Sequence, residues 1–291
     1  MPNITGHTEL VGLMAYPIRH TQSPTTHNLA YDKNGDDVIQ LAFEVDNDTL
    51  EAAVESIRAL KMLGSNISMP NKTVVHKYLD EVDEAAKLCG AINTVVNTRD
   101  KDGNVTGYLK GYNTDGMGYW QGIKEEGIDF KGMKMVLIGT GGAATAIAVR
   151  GALDGIAELY IFNIKDKFYA RGEEIVDIIN KNSNCKAEMH DLGDLALLKE
   201  KMHEADIFCD ATGVGMHPLE DLSNIPDPSY FRKDLIVTDT VYAPRETVMM
   251  KQAKEAGCPR VYMMLFQALI AIELYTGKST PVDYMKEKLG I

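Results

Sequence analysis

The sequence predicts an α/β protein of two domains, and three observations carry that expectation. Short apolar strands alternate with helical stretches almost throughout, as in parallel α/β architectures. A length of 291 residues suggests about two domains. The pattern also resets at 134–138, where a compact apolar strand runs into the glycine cluster Gly139-Thr140-Gly141-Gly142.

In chain order, 10–14 reads as a strand and 25–34 as a helix ending at Gly35. A strand over 39–45, a helix over 49–60 and a strand over 62–67 follow. Pro70 suits the first position of a helix running to Leu79. That places Lys72 in the first turn, where the helix dipole disfavours a second positive charge and favours the neutral amine. Residues 91–97 and 103–108 pair as a hairpin, with Asp102-Gly103 as turn residues. A helix follows Gly111-Tyr112-Asn113-Thr114-Asp115-Gly116 and runs to about residue 126. After the strand at 134–138 come a helix over 143–153, a strand over 158–163 and a helix from about 167 to 181. Further strands fall at 207–211 and 236–240, and the chain closes with helices over 263–275 and 281–289. The expected division is 1–113, rejoined by 264–291, and 114–263.

Bulk properties narrow the function. A formal net charge of −12 argues against nucleic acid or an anionic membrane as partner. Cys89, Cys185, Cys209 and Cys258 are widely spaced, as reduced cytosolic thiols are, and the histidines lack ligand spacing, so no metal is expected. The first ten residues lack a signal-peptide pattern, and the longest apolar run, 261–275, is too short to cross a bilayer. A soluble cytoplasmic protein is expected.

Gly139-Thr140-Gly141-Gly142-Ala143-Ala144 follows a strand and opens a helix. In the G-x-G-x-x-G/A pattern the glycines permit a tight turn and close approach to a pyrophosphate, which meets the free N–H groups of the helix start. This makes the second domain Rossmann-type, with Gly139, Thr140, Gly141, Gly142 and Ala143 as cofactor residues. The next strand ends at Asn163-Ile164-Lys165-Asp166. A carboxylate there can accept from ribose hydroxyls and repel a 2′-phosphate, whereas an NADP site usually offers arginine. Asp166 therefore favours NAD, while Lys165 leaves NADP open as a point charge; the alternative role of Asp166 is to cap the following helix.

Four polar clusters remain: Tyr16 through Ser23-Pro24 with His27-Asn28, Asn66 through Lys72, Gly90 through Thr94, and Gly111 through Gly116. With Phe43 through Asn47, Val214-Gly215-Met216, Val241-Tyr242-Ala243-Pro244, Gln267 and Tyr275-Thr276-Gly277, this ordered set resembles the shikimate dehydrogenase family over nearly the whole chain. The resemblance is to its quinate/shikimate branch. It implies a substrate-binding first domain against which the final helices pack, and Lys72 and Asp115 as the catalytic pair. Thr21 and Ser23 stand where the family grips the substrate carboxylate, with threonine replacing one serine. Ser68, Asn93 and Gln267 are the implied partners of the ring hydroxyls. Tyr242 stands near the junction of substrate and cofactor, and Asn163, Thr240 and Val241 face the dinucleotide. The implied reaction is oxidation of shikimate or quinate with NAD or NADP, in either direction, by a protein that the family would make a homodimer. Three departures stand out: Gln40 where branch members often have tyrosine, Gly213 in place of a lysine, and a shortened stretch over 260–263 where glycines normally line the nicotinamide pocket. The last two motivate a second reading, a sensor of the same fold without turnover.

Overall fold

The computed structural model describes residues 4–241, 243–244, 246–262 and 264–290. The chain divides into two compact units, Met1–Gly118 with Leu265–Ile291, and Tyr119–Met264. The break falls inside a helix, a little beyond the expected boundary at 113.

The first unit contains β1 (Glu9–Ala15), α1 (Ser23–Asn34), β2 (Val38–Glu44), α2 (Leu50–Ala59), β3 (Gly64–Ile67), β4 (Glu81–Val82), α3 (Glu84–Cys89), β5 (Thr94–Arg99) and β6 (Val105–Tyr112), and α4 (Thr114–Glu125) begins in it. Its sheet runs β2-β1-β3-β5-β6-β4. The pairs β1–β2 and β1–β3 are parallel, and β5 is antiparallel to both β3 and β6. The open edge of β2 is partly closed by α1. The Asn28 amide accepts from the Gln40 N–H at 2.7 Å and donates to the Gln40 carbonyl at 3.1 Å, standing in for a neighbouring strand.

The second unit holds β7 (Lys134–Ile138), α5 (Gly142–Asp154), β8 (Glu158–Asn163), α6 (Tyr169–Asn182), β9 (Lys186–Asp191), α7 (Leu195–Glu204), β10 (Ile207–Asp210), β11 (Ile236–Asp239), α8 (Val248–Glu255) and β12 (Arg260–Tyr262). Its strands are all parallel, in the order β12-β11-β10-β7-β8-β9. Chain order reverses on either side of β7, so the loop after β7 opens at the topological switch point. Such a sheet is covered on both faces, and β7 reads as an unbroken apolar run for that reason. Trp120 packs its ring on Phe130 at 4.1 Å and donates its indole N–H to the Ile147 carbonyl at 2.9 Å.

The last helices, α9 (Met264–Thr276) and α10 (Val282–Leu289), return to the first unit. Leu265, Leu269, Ile272 and Tyr275 of α9 share a core with Val11, Tyr31, Leu63 and Val96. Each large aliphatic side chain buried in this way contributes roughly 1.5–3 kcal/mol, enough to fix where α9 sits. No described helix is long and apolar enough to cross a membrane.

One expected element is corrected. Residues 70–79 form two 3₁₀ turns, Asn71–Thr73 and Val75–Tyr78, rather than an α-helix, and Pro70 stands before the first turn. Consecutive β-branched Thr73, Val74 and Val75 are poorly suited to a longer helix. The α-helical dipole expected at Lys72 is therefore absent. Six elements had no sequence expectation: β4, α3, β9, α7, α8 and β12. Of these, β4, α3 and β12 are short, and β9 is a polar edge strand with weak periodicity.

Candidate active site and dinucleotide loop

Backbone bonds pin the segment carrying Lys72. The Ser68 N–H donates to the Met14 carbonyl at 3.0 Å and the Ile92 N–H to the Lys72 carbonyl at 2.8 Å, and the Asn71 side-chain amide adds a bond to the Val45 carbonyl at 2.8 Å. Lys72 is thus fixed near the carboxyl end of β1 and beside Asn93. Its Nζ donates to Asp115 Oδ2 at 2.9 Å, each side chain being 27% exposed. Asp115 occupies the first turn of α4, where the dipole favours an anion, and its N–H donates to Asn113 Oδ1 at 3.0 Å.

The other oxygen of Asp115 accepts from Asn93 Nδ2 at 2.9 Å. Asn93 Oδ1 in turn accepts from the Thr114 N–H at 2.8 Å and from the hydroxyls of Thr94 at 3.1 Å and Thr114 at 3.2 Å. Lys72, Asp115 and Asn93 are therefore one hydrogen-bonded group of an amine, a carboxyl and an amide. Gln267 lies beside it through α4: a Cβ added at Gly118, one turn after Asp115, would stand 2.4 Å from the Gln267 nitrogen. Thr21 and Ser23 meet separately at the start of α1, where the Ser23 N–H donates to Thr21 Oγ1 at 3.2 Å. Tyr242 and Met263 lie outside the described residues.

Four residues near this group carry no assigned role in the sequence reading: Gln40, Asn66, Thr94 and Thr114. Asn66 Nδ2 donates to Thr94 Oγ1 at 3.5 Å, and Gln40 Nε2 donates to Asn66 Oδ1 at 2.8 Å. Asn66 and Thr94 lie within the quoted polar clusters, so their positions were visible. Gln40 stood out only as a departure from the tyrosine of branch members, with no role attached to it.

In the second unit the loop after β7 has the geometry a diphosphate needs. Gly139 holds φ at +110°, and a Cβ there would meet the Ala211 carbonyl oxygen at 2.9 Å, so only glycine fits. Around Gly141 and Gly142 a Cβ would meet nothing within 4 Å. The protein itself does not require those two glycines; the room they leave lies at the start of α5. Gly141 caps that helix without a side-chain hydrogen bond, leaving its first N–H groups for an anion. Thr140 is buried, its hydroxyl donating to the Phe168 carbonyl at 3.1 Å, and Ala143 is exposed in the first turn.

Asn163 ends β8 and donates to Asp166 Oδ1 at 3.2 Å, while the same oxygen accepts the Phe168 N–H at 2.9 Å. Asp166 thus shapes the turn into α6 with one of its oxygens. Lys165 pairs with Asp191 at 3.3 Å. At the end of β11, the Thr240 N–H donates to the Asp210 carbonyl at 3.0 Å and the Val241 N–H to Asp239 Oδ1 at 2.8 Å. Asp210 and Asp239 are buried register partners on β10 and β11. Burial raises the pKa of both.

Residues 13–95 match the family model described as the shikimate dehydrogenase substrate binding domain. Over 289 residues the chain is 50% identical to the shikimate dehydrogenase (NADP(+)) of Listeria innocua, covering 98% of this chain and 97% of that protein. The chain belongs to the shikimate dehydrogenase family. The solved structure of shikimate 5-dehydrogenase from Listeria monocytogenes in complex with shikimate and NAD has a TM-score of 0.93 and 48% identity, covering 99% of both chains. A quinate dehydrogenase from Corynebacterium glutamicum in complex with NAD has a TM-score of 0.83 and 28% identity, covering 98% of this chain and 99% of that one. The matched segment of the family's substrate-binding domain includes Thr21, Ser23, Ser68, Lys72 and Asn93. The two-unit α/β fold, with a Rossmann-like second unit, is the family's fold.

Proposed function

We propose that this chain is a shikimate dehydrogenase that interconverts shikimate and 3-dehydroshikimate, with Lys72 and Asp115 as the catalytic pair. The observation carrying the proposal is the 2.9 Å Lys72–Asp115 contact with Asn93 on the second Asp115 oxygen. Bound NAD or NADP supplies the hydride acceptor for the ring carbon. The neutral Lys72 amine takes the hydroxyl proton as C–H hydride leaves; in the reverse direction its ammonium returns that proton. Asp115 orients Lys72 and stabilises its charged form. Thr21 and Ser23 hold the substrate carboxylate through hydroxyl and N–H groups, while Ser68, Asn93 and Gln267 engage the ring hydroxyls. Tyr242 is assigned to substrate binding on family analogy alone.

The dinucleotide lies along Gly139 to Ala143, with Asn163, Lys165, Asp166, Thr240 and Val241 around it. The open space at Gly141 and Gly142 supports the fit. NAD is the preferred form in this reading, because Asp166 offers a carboxylate to the ribose and Lys165 already has Asp191 as a partner. Quinate is a weaker substrate, since the 50%-identical relative is a shikimate enzyme and the quinate enzyme is 28% identical. Steady-state oxidation of shikimate and quinate with each dinucleotide tests this. Turnover of shikimate is expected; binding of shikimate without turnover of either acid would favour the sensor reading instead.

A further inference from the structure

Gln40 is fully buried, with both backbone polar groups held by Asn28, so no substrate can touch it. Its side chain nevertheless begins a hydrogen-bond chain that ends on the proposed catalytic carboxylate. The direction of that chain is dictated from one end. The Thr114 backbone N–H can only donate, so the Asn93 atom it meets is the carbonyl oxygen, and the Asn93 amino group faces Asp115. The Thr94 hydroxyl also donates to Asn93 Oδ1, which leaves its lone pairs for Asn66 Nδ2. Asn66 Oδ1 then faces Gln40, whose Nε2 donates to it.

Every bond runs the same way, from Gln40 through Asn66, Thr94 and Asn93 to Asp115. Hydrogen bonds in such a sequence polarise one another. The weak link is Asn66 to Thr94 at 3.5 Å, so the 2.8 Å bond from Gln40 is the firmer hold on the Asn66 side chain. The opposite Gln40 rotamer would set two carbonyl oxygens against each other. In the observed one, Gln40 Oε1 is buried without a hydrogen-bond partner, an arrangement tolerated better by a carbonyl than by an N–H.

We propose that Gln40 is a positioning residue which holds Asn66, and through it the Thr94–Asn93 row that ends on Asp115, without touching the substrate itself. This rests on the shikimate dehydrogenase reading of the site. The test combines shikimate calorimetry with steady-state kinetics on the full-length protein. Gln40→Met should raise both Kd and KM for shikimate about tenfold, the effect of losing one oriented hydrogen bond, while KM for the dinucleotide changes less than about twofold. Because Gln40 acts through Asn66, the same substitution in an Asn66→Ala background should change shikimate affinity by less than about twofold. A tenfold loss in both backgrounds, or none in either, would overturn the proposal. Gln40→Glu guards against misfolding by keeping the shape. Its carboxyl can donate only while protonated, so its shikimate KM relative to wild type should rise with pH; a flat ratio would equally overturn the proposal. Shikimate binding without turnover by the wild type would sink the assigned activity alone, since affinity still reads Gln40. Absence of binding would sink both.

Discussion

Asp239 ends β11 with a carboxylate only 5% exposed. Burial is the largest influence on it and, with the Asp210 carboxyl, outweighs the Thr247 hydroxyl and Val241 N–H, raising its pKa from 3.8 to about 6. The folded state therefore holds this proton more tightly than the unfolded chain does. Stability falls as pH rises from 3.8 towards 6, and the full loss, about 3 kcal/mol, is present above that range. Asp239→Asn removes the charge and keeps an oxygen for the Val241 N–H. The Thr247 hydroxyl, which donates to Asp239 at 2.6 Å, favours the ionised form, and its effect is already contained in the raised pKa. The variant should then be about 3 kcal/mol more stable at about pH 8, and about 1.5 kcal/mol more stable at about pH 5. Urea unfolding followed by fluorescence suits this measurement, because the single tryptophan, Trp120, is buried in the same unit. A difference that stays constant between the two pH values, or shrinks as pH rises, would refute the assignment of the loss to ionised Asp239.

Lys72→Ala should lower kcat by about a hundredfold or more and leave dinucleotide affinity, read by fluorescence titration, almost unchanged. A variant turning over at full rate would end the proton-transfer role. Gly118→Ala places a methyl 2.4 Å from the Gln267 backbone and must push α9 away from α4. Shikimate KM should rise several-fold, by about 1 kcal/mol of lost binding, with dinucleotide KM unaffected; equal changes in both would point to general destabilisation. Asp166→Ala should narrow the ratio of kcat/KM for NAD over NADP, and an unchanged ratio would remove Asp166 from the ribose site.

Much of the fold was legible because its elements obey simple periodicities. The strands β7, β8, β10 and β11 are apolar runs, as buried parallel strands must be, and the glycine cluster marked the switch from strand to helix. The hairpin of β5 and β6 was announced by Asp102-Gly103, and Gly103 indeed carries a positive φ of 86°. The polar edge strand β9 and the two-residue β4 were not legible, because their pairing is decided by neighbours distant in sequence.

The site divides along the same line. Lys72, Asn93 and Asp115 stood out because polar motifs interrupt apolar patterns, yet the reason first advanced for Lys72, a helix dipole, does not hold in a 3₁₀ turn. Tertiary pairing assembles the group that local structure does not: Asp115 arrives from α4, Asn93 from the start of β5, and the backbone of Lys72 is tied to Ile92. Gln40 shows the limit of motif reading most clearly. Its importance lies in the direction of a hydrogen bond to Asn66, and donor direction has no signature in a linear sequence. The Thr114 N–H orients Asn93 by donor and acceptor chemistry, and with Thr94 donating to Asn93 the Asn66 oxygen is left facing Gln40.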